Sequence, residues 1–181
     1  MNALGMIELN SIPKGIESAD AMLKAADVSI VTAQAVCAGK YIAIVSGDVA
    51  AVRAAVDAGA AIGASKLIDS IVIPNIHPQV LSAVAACSDA VITESVGIME
   101  TFSLAAAIIA ADAAVKAAAV DLLEVRLGRG LGGKAFIILT GEVASVREAV
   151  AAGESQEEVA GLMSESVVIP SPHKDLLSAL Y

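Results

Sequence analysis

The chain has 181 residues and a formal net charge of -9, with 11 lysines and arginines against 20 aspartates and glutamates. Hydrophobic residues make up 57% of the sequence and aromatic residues only 2%. This composition excludes a nucleic-acid-binding protein, because such proteins need basic surfaces and aromatic side chains that stack on bases. The length suits two domains of roughly 90 residues each.

The sequence predicts no membrane span and no secretory signal. The longest apolar run, residues 104–120, is interrupted by Asp112 and Lys116, whereas a span needs roughly 20 apolar residues. Met1 is not followed by the basic and apolar segments of a signal peptide. We therefore expect a cytoplasmic protein whose many small apolar residues form surfaces buried between subunits.

The first half of the chain predicts the element order βαββαβα. In chain order, the predicted elements are a strand over 4–9, a helix over 14–26, strands over 29–36 and 41–45, a helix over 49–62, a strand over 67–73 and a short helix over 78–85. The inward face of the first helix is predicted to carry four apolar residues at helical spacing, Ile16, Ala19, Leu23 and Ala26.

The second half of the chain repeats the first about 92 residues later. Three pairs of segments carry the repeat: Gly5-Met6-Ile7-Glu8 with Gly97-Ile98-Met99-Glu100, Gly39-Lys40 with Gly133-Lys134, and Val72-Ile73-Pro74 with Val168-Ile169-Pro170. A period this long indicates a duplicated domain, since each copy can hold its own core. The near-symmetry of the copies favours assembly into a ring.

The duplication predicts an α/β sandwich fold with one sheet per copy. We place the two domains at residues 1–88 and 95–181, with the second copy running from Ser95 to Leu180. Cys87 lies in the connector between them and is expected to be structural or free. Two cysteines are too few for a disulfide framework in a chain of this size.

The sequence resembles bacterial microcompartment shell proteins over essentially its whole length. The resemblance lies in the segment 17–26 (ESADAMLKAA), its echo at 112–118 and the Gly-Lys pair after each second strand. Two unpermuted copies in one chain are similar to tandem-domain shell subunits, which form trimers shaped as pseudohexagonal tiles. The resemblance implies a structural protein of the shell, not an enzyme, that packs edge to edge with other shell proteins. An encapsulated redox enzyme is a further candidate partner.

The turn Val36-Cys37-Ala38-Gly39 is similar to the pore turn of the family branch found in propanediol-utilisation compartments. In that branch the pore cysteines hold an iron–sulfur cluster, and a proline follows the cysteine where this chain has Ala38. The resemblance implies that three Cys37 thiolates meet on the trimer axis and hold a [4Fe–4S] cluster for electron transfer, leaving one iron without a protein ligand.

Two other interpretations of the chain stay open. Cys37 is equally consistent with a metal-free thiol in a pore that conducts small metabolites. The chain as a whole also fits a regulatory α/β protein that forms a closed ring and binds a small ligand. A tile is expected to form sheets, whereas a closed ring stays a discrete oligomer.

The segment Gly128-Arg129-Gly130-Leu131-Gly132-Gly133 matches the GxGxxG pattern of dinucleotide sites. Such a site needs a helix after the loop, but the residues from Lys134 to Leu139 predict a strand. We interpret this segment as the second copy's counterpart of the Cys37 turn, two residues longer and without a cysteine. Arg129, Gly130, Leu131 and Gly132 would then face either the pore or solvent.

Three further pairs of residues repeat between the copies. The family resemblance places Lys24 and Lys116 at the tile edge, although each could simply pair with the aspartate four residues earlier. His77 and His173 each stand beside a proline and are expected to cap turns. Glu8 and Glu100 are expected to form a repeated structural salt bridge. No catalytic set of residues is predicted.

Overall fold

The computed structural model of the chain describes residues 3–177, which form two compact units. The first unit contains the chain up to Leu81 together with Gly128–Gly133, and the second contains Ser82–Leu127 and the chain from Lys134 onward. The predicted domain limits at residues 1 and 181, and the end of the second copy at Leu180, lie outside the described residues. Within the described part, no helix is both long and apolar enough to cross a membrane.

The first copy has the predicted element order. Its elements are β1 (Ala3–Leu9), α1 (Ile12–Ala25), β2 (Val28–Val36), β3 (Lys40–Gly47), α2 (Val49–Gly63), β4 (Leu67–Ile73) and α3 (Pro78–Val84). The four strands form one antiparallel sheet in the order β2-β3-β1-β4. Central strand β1 is buried along its whole length, as expected for a strand with neighbours on both sides.

The second copy repeats this topology. Its elements are β5 (Ser95–Thr101), α4 (Leu104–Ala117), β6 (Val120–Leu127), β7 (Ala135–Gly141), α5 (Val143–Glu154), β8 (Met163–Ile169) and α6 (Lys174–Leu177). The strands form a second antiparallel sheet in the order β6-β7-β5-β8. The predicted α/β class with one sheet per copy is confirmed.

Side-chain caps and glycines explain why the helices lie where they do. Ser11 and Ser103 accept hydrogen bonds from the first turns of α1 and α4, which fixes where both helices begin. Gly5 in β1 lies directly beneath α2, and a Cβ atom there would stand only 2.6 Å from the methyl groups of Val52 and Val56. The helix can therefore approach the sheet closely only because this position has no side chain.

The prediction for the inward face of α1 is partly wrong. Ala19 is buried and Ala26 packs against the core, but the side chains of Ile16 and Leu23 are exposed. The inward face is a stripe of smaller or flexible residues instead: Gly15, Ser18, Ala19 and Met22. The physical reason is close packing, since a Cβ atom on Gly15 would stand 2.4 Å from the Tyr41 side chain of β3.

A repeated ion pair ties the start of the third strand to the first strand in each copy, as predicted; Lys40 opens β3, and Lys134 directly precedes β7. Lys40 Nζ lies 2.8 Å from Glu8 Oε1, and Lys134 Nζ lies 2.7 Å from Glu100 Oε2. The hydrogen bonds from Lys134 and from the Ser164 hydroxyl lower the pKa of Glu100. The second pair therefore stabilises the fold above the ordinary carboxyl pKa, and this contribution is lost as the pH falls through the lowered value.

The two ion pairs should differ in their contribution to stability. The side chain of Glu8 is only 4% exposed, whereas that of Glu100 is 36% exposed. Lys40→Met leaves a buried carboxylate without its cation and should lower the free energy of unfolding by about 2–3 kcal/mol. The matched control, Lys134→Met, should cost less than about 1 kcal/mol because water solvates Glu100. Urea unfolding followed by circular dichroism measures the free energy of unfolding of both variants. Equal losses would contradict the larger contribution assigned to the pair of Lys40 and Glu8.

Candidate functional site

The turn that carries Cys37 joins β2 to β3 in the first unit. Its residues Cys37–Gly39 form a tight turn with left-handed backbone, in which Ala38 has φ 62° and Gly39 has φ 73°. The left-handed conformation of Ala38 costs roughly 1–2 kcal/mol in a non-glycine residue. Proline could not adopt it, since its ring holds φ near about -65°. The alanine at position 38 is therefore compatible with this turn, and a proline is not.

The glycine-rich segment 128–133 joins β6 to β7 and belongs to the first compact unit. The pairs Ala35–Tyr41 and Leu127–Ala135 are equivalent in the two sheets, and they enclose five and seven residues respectively. The predicted two-residue extension is therefore confirmed. A strand follows the loop, so the context of a dinucleotide site is absent here.

Backbone conformation explains why the segment is rich in glycine. All four of its glycines have positive φ, with values of 64° at Gly128, 73° at Gly130, 62° at Gly132 and 95° at Gly133. Such angles are readily available only to glycine. The glycines thus let the loop fold back with its amide groups pointing to one side, which brings it against the Cys37 turn.

Backbone groups of this loop contact the Cys37 thiol from one side of the turn. The Cys37 N–H donates to the Gly128 carbonyl at 2.7 Å, and the Gly130 N–H donates to Cys37 Sγ at 3.0 Å. The backbone N–H of Leu131 lowers the pKa of Cys37 most strongly. The amides of Gly130, Gly132 and Gly133 add to this, against a partial burial that raises the pKa. The thiolate, the form in which cysteine attacks electrophiles and binds metals, is therefore easier to form at Cys37 than at an ordinary cysteine.

One chain supplies only a single ligand at this place. Among residues 3–177, no group of three or more histidine, cysteine, aspartate or glutamate side chains could hold a metal ion. Cys37 is half-buried and Cys87 is exposed, and neither forms a disulfide. The donor chemistry at Cys37 fits an iron–sulfur cluster, whose thiolate ligands accept N–H hydrogen bonds, provided that further copies of the chain supply the remaining thiolates.

The other predicted pore residues stand in the same two loops, except Val36, which is the last residue of β2. Val36 is buried, Ala38 and Gly39 are exposed, and Leu131 is half-buried. The remaining residues assigned to the second loop, Arg129, Gly130 and Gly132, are exposed. Sequence reasoning missed that the second loop contacts Cys37, because the hydrogen bond from Gly130 joins residues 93 positions apart. The density of glycines was the signal for a specialised backbone.

The two repeated lysines have different surroundings. Lys24 forms an ion pair with Asp20 at 2.5 Å, and its side chain is 74% exposed. Lys116 pairs with Asp112 at the same distance, but it is 38% exposed and the Asp112 side chain only 9%. Lys24 is therefore the more accessible of the two lysines assigned to an edge.

Both histidines cap turns, as predicted. His77 Nδ1 accepts a hydrogen bond from the N–H of Gln79 at 3.4 Å, at the start of α3. His173 Nδ1 accepts one from the N–H of Asp175 at 3.2 Å, at the start of α6. The repeated histidines thus have a local structural role in both copies.

Comparison with known proteins identifies the domain that is duplicated. The model of the BMC domain matches residues 3–76 and again 95–172. The chain is 41% identical over 174 residues to the bacterial microcompartment shell protein PduT of Citrobacter freundii, covering 96% of this chain and 95% of that protein. It is 34% identical over 193 residues to the carboxysome assembly protein CcmO of Synechococcus elongatus, covering 98% and 68% respectively.

A solved structure agrees with this assignment. The crystal structure of a microcompartments protein from Desulfitobacterium hafniense DCB superposes with a TM-score of 0.93 at 50% identity, covering 97% of this chain and 98% of that one. These relatives are shell and assembly proteins, which confirms the expectation of a structural protein that is not an enzyme. The protein therefore belongs to the BMC-domain family of bacterial microcompartment shell proteins, and it carries the domain twice in tandem.

Proposed function

We propose that the protein is a trimeric, pseudohexagonal tile of a microcompartment shell, with a central pore at the Cys37 turn that holds a [4Fe–4S] cluster. Three chains with two similar domains each give a ring of six similar modules, which suits edge-to-edge tiling. The observation that carries the proposal is the Cys37 thiol, which accepts a hydrogen bond from Gly130 and stands among the amides of the same loop.

The environment of Cys37 suits a cluster ligand in two respects. A lowered thiol pKa means that less work is needed to remove the proton before iron binds. The N–H of Gly130 can donate to a ligating sulfur, and such hydrogen bonds help to set the reduction potential of a cluster. A buried, inert structural cysteine would need neither feature.

In this proposal Val36, Cys37, Ala38 and Gly39 line the pore, while Arg129, Gly130, Leu131 and Gly132 surround it or face solvent. Three Cys37 thiolates leave one iron of the cluster without a protein ligand. When bound, the cluster would supply one-electron transfer across the shell. An encapsulated redox enzyme is then the natural electron partner inside the compartment.

A metal-free pore that conducts small metabolites is the second candidate function. A pore without metal is favoured because, among the described residues, each chain brings only one metal-binding side chain to this site. In that case the Cys37 thiolates give the pore a negative charge, which disfavours the passage of anions. The iron content of the protein separates the two functions.

The cluster proposal predicts a brown protein after anaerobic purification or reconstitution, with roughly one cluster per three chains. Cys37→Ser should abolish the visible absorbance and the bound iron and sulfide. The matched control Cys87→Ser should keep them, because Cys87 is exposed in a different compact unit. Colour that persists in Cys37→Ser, or a wild-type protein that takes up no iron, would exclude the cluster.

The thiolate at Cys37 can be tested in metal-free protein. In a Cys87→Ser background, the rate of alkylation by iodoacetamide should reach its half-maximum below the ordinary thiol pKa of about 8.5. Urea-unfolded protein is the control and should titrate near the ordinary value. Since folding lowers this pKa, the thiolate stabilises the fold above the unfolded value, and the effect is lost as the pH falls through the folded value. Identical pH profiles of alkylation for folded and unfolded protein would contradict a lowered pKa of Cys37 in the fold.

Lys24 should be needed for packing between tiles but not for the trimer. Its exposed stem can cover apolar surface at a tile edge while the ammonium group reaches a neighbour. Lys24→Ala should keep the trimer mass in light scattering but form fewer sheets or tubes in electron micrographs. Lys14→Ala is a matched control, because Lys14 lies on the same helix and also forms an ion pair, with Glu17 at 2.7 Å. Equal sheet formation by both variants would contradict the proposed position of Lys24 at the tile edge.

A further inference from the structure

The second compact unit contains a cleft between its sheet and the segment that leads into it. This linking segment, residues 85–94 between α3 and β5, lies alongside β6, and the cleft between them has a volume of about 190 Å³. That is below the roughly 300–1,000 Å³ of sites for drug-sized ligands, so the cleft suits a molecule of a few heavy atoms. The cleft lies within the second unit alone.

Hydrogen bonds hold the linking segment against the sheet. The Ser88 hydroxyl donates to the Leu122 carbonyl of β6 at 2.6 Å, and it accepts from the Ala90 N–H at 3.3 Å. Further along, the Thr93 N–H donates to the Thr140 hydroxyl of β7 at 3.2 Å. One wall of the cleft is therefore fixed before any ligand arrives, which lowers the entropic cost of binding.

A guanidinium group is held in place at the edge of the cleft. Arg126 Nε donates to Glu124 Oε1 at 2.6 Å, and the guanidinium carbon of Arg126 lies 5.0 Å from the centre of the Phe136 ring. Among residues 3–177, no hydrogen bond engages the two terminal nitrogens of this guanidinium. Terminal nitrogens of arginine match the two oxygens of a carboxylate in geometry.

The charged and aromatic residues of this site occur only in the second copy. The strand registers place three uncharged, non-aromatic residues of the first copy at the positions equivalent to Glu124, Arg126 and Phe136: Thr32, Gln34 and Ile42. The first sheet forms the same strand pairs without them, so the pairing of β6 with β7 does not require this set. A partly exposed ion pair also adds little to stability. The set is therefore better explained by what it can bind.

The other side chains of the cleft define the rest of the ligand. Ile92 and Leu123 are half-buried and Ile138 is buried, so an apolar wall stands beside the guanidinium. A carboxylate joined to a short aliphatic chain can contact both parts at once. A doubly charged phosphate is disfavoured by repulsion from Glu124, and an amine by repulsion from Arg126.

We propose that this cleft binds a small aliphatic monocarboxylate, whose carboxylate pairs with Arg126 and whose chain packs against Ile92, Leu123 and Ile138. The second copy thus carries a ligand site of its own, separate from the Cys37 turn. The site goes beyond the proposed function, and it depends neither on the cluster nor on the number of chains in the ring.

Butyrate is the probe that tests the proposal. In the assembled, methyl-labelled protein, NMR titration should shift the methyl signals of Ile92, Leu123 and Ile138, with a Kd on the order of 1–10 mM. Butylammonium has nearly the same size and the opposite charge, and it should leave these signals in place. Inorganic phosphate should also leave them in place.

Two variants and a control separate binding from folding, which circular dichroism checks. Arg126→Gln gives this position the residue that the first copy has, and it should weaken butyrate binding about tenfold or more. Leu123→Phe keeps every charge but narrows the cleft, and it should weaken binding as well. Arg147→Gln is the matched control and should bind as the wild type does, because Arg147 is an exposed arginine on α5 of the same unit.

Several results would overturn the proposal. The cleft does not bind the carboxylate if butyrate leaves the three methyl signals of the wild type unchanged, or if Arg126→Gln binds with wild-type affinity. Equal shifts with butylammonium or phosphate would show that the guanidinium does not select a monocarboxylate. Equal losses in Arg126→Gln and Arg147→Gln would reduce the effect to net charge. The iron content and the mass of the oligomer, which test the proposed function, do not enter any of these outcomes.

Discussion

The close approach of the helices to the sheets is the constraint on which the rest of the structure depends. Position 5 in β1 and position 97 in β5 have no side chain, and a Cβ atom at Gly97 would stand 2.8 Å from Leu139 and 2.9 Å from Val146. With so few aromatic residues, the core is filled by alanine and branched aliphatic side chains packed at short range. On α1 the inward positions are taken by Gly15, Ser18, Ala19 and Met22, whereas the branched residues Ile16 and Leu23 remain exposed.

The site around Cys37 depends on the difference between the two copies. The turn of the first copy carries the thiol, and the loop of the second copy carries the glycines whose backbone amides surround it. A glycine-rich loop can direct several amides at one sulfur, which side chains at ordinary backbone angles could not do as compactly. Duplication thus allows one loop to supply the reactive atom and the other to supply its electrostatic environment.

Much of the fold could be predicted because its signals are local. Element order follows from periodicity and capping residues, and the repeated ion pairs of Glu8 and Glu100 follow from the repeat itself. The inward face of α1 was missed because apolar side chains were assumed to face the core, whereas close packing selected smaller ones. The hydrogen bond from Gly130 to Cys37 could not be predicted, since it joins residues 93 positions apart; the glycines indicate a specialised backbone but not the group that it contacts.

The confinement of the cysteine to one copy has a consequence for the composition of any ring. A ring built from single-domain subunits repeats every residue once per domain, so a reactive side chain at its centre is present in every module or in none. A tandem chain contributes two domains but a single Cys37, which halves the number of thiols relative to the number of modules. Fusion of the two copies therefore lets the chemistry of one loop change by itself, because a substitution in that loop leaves its counterpart in the other copy unaltered.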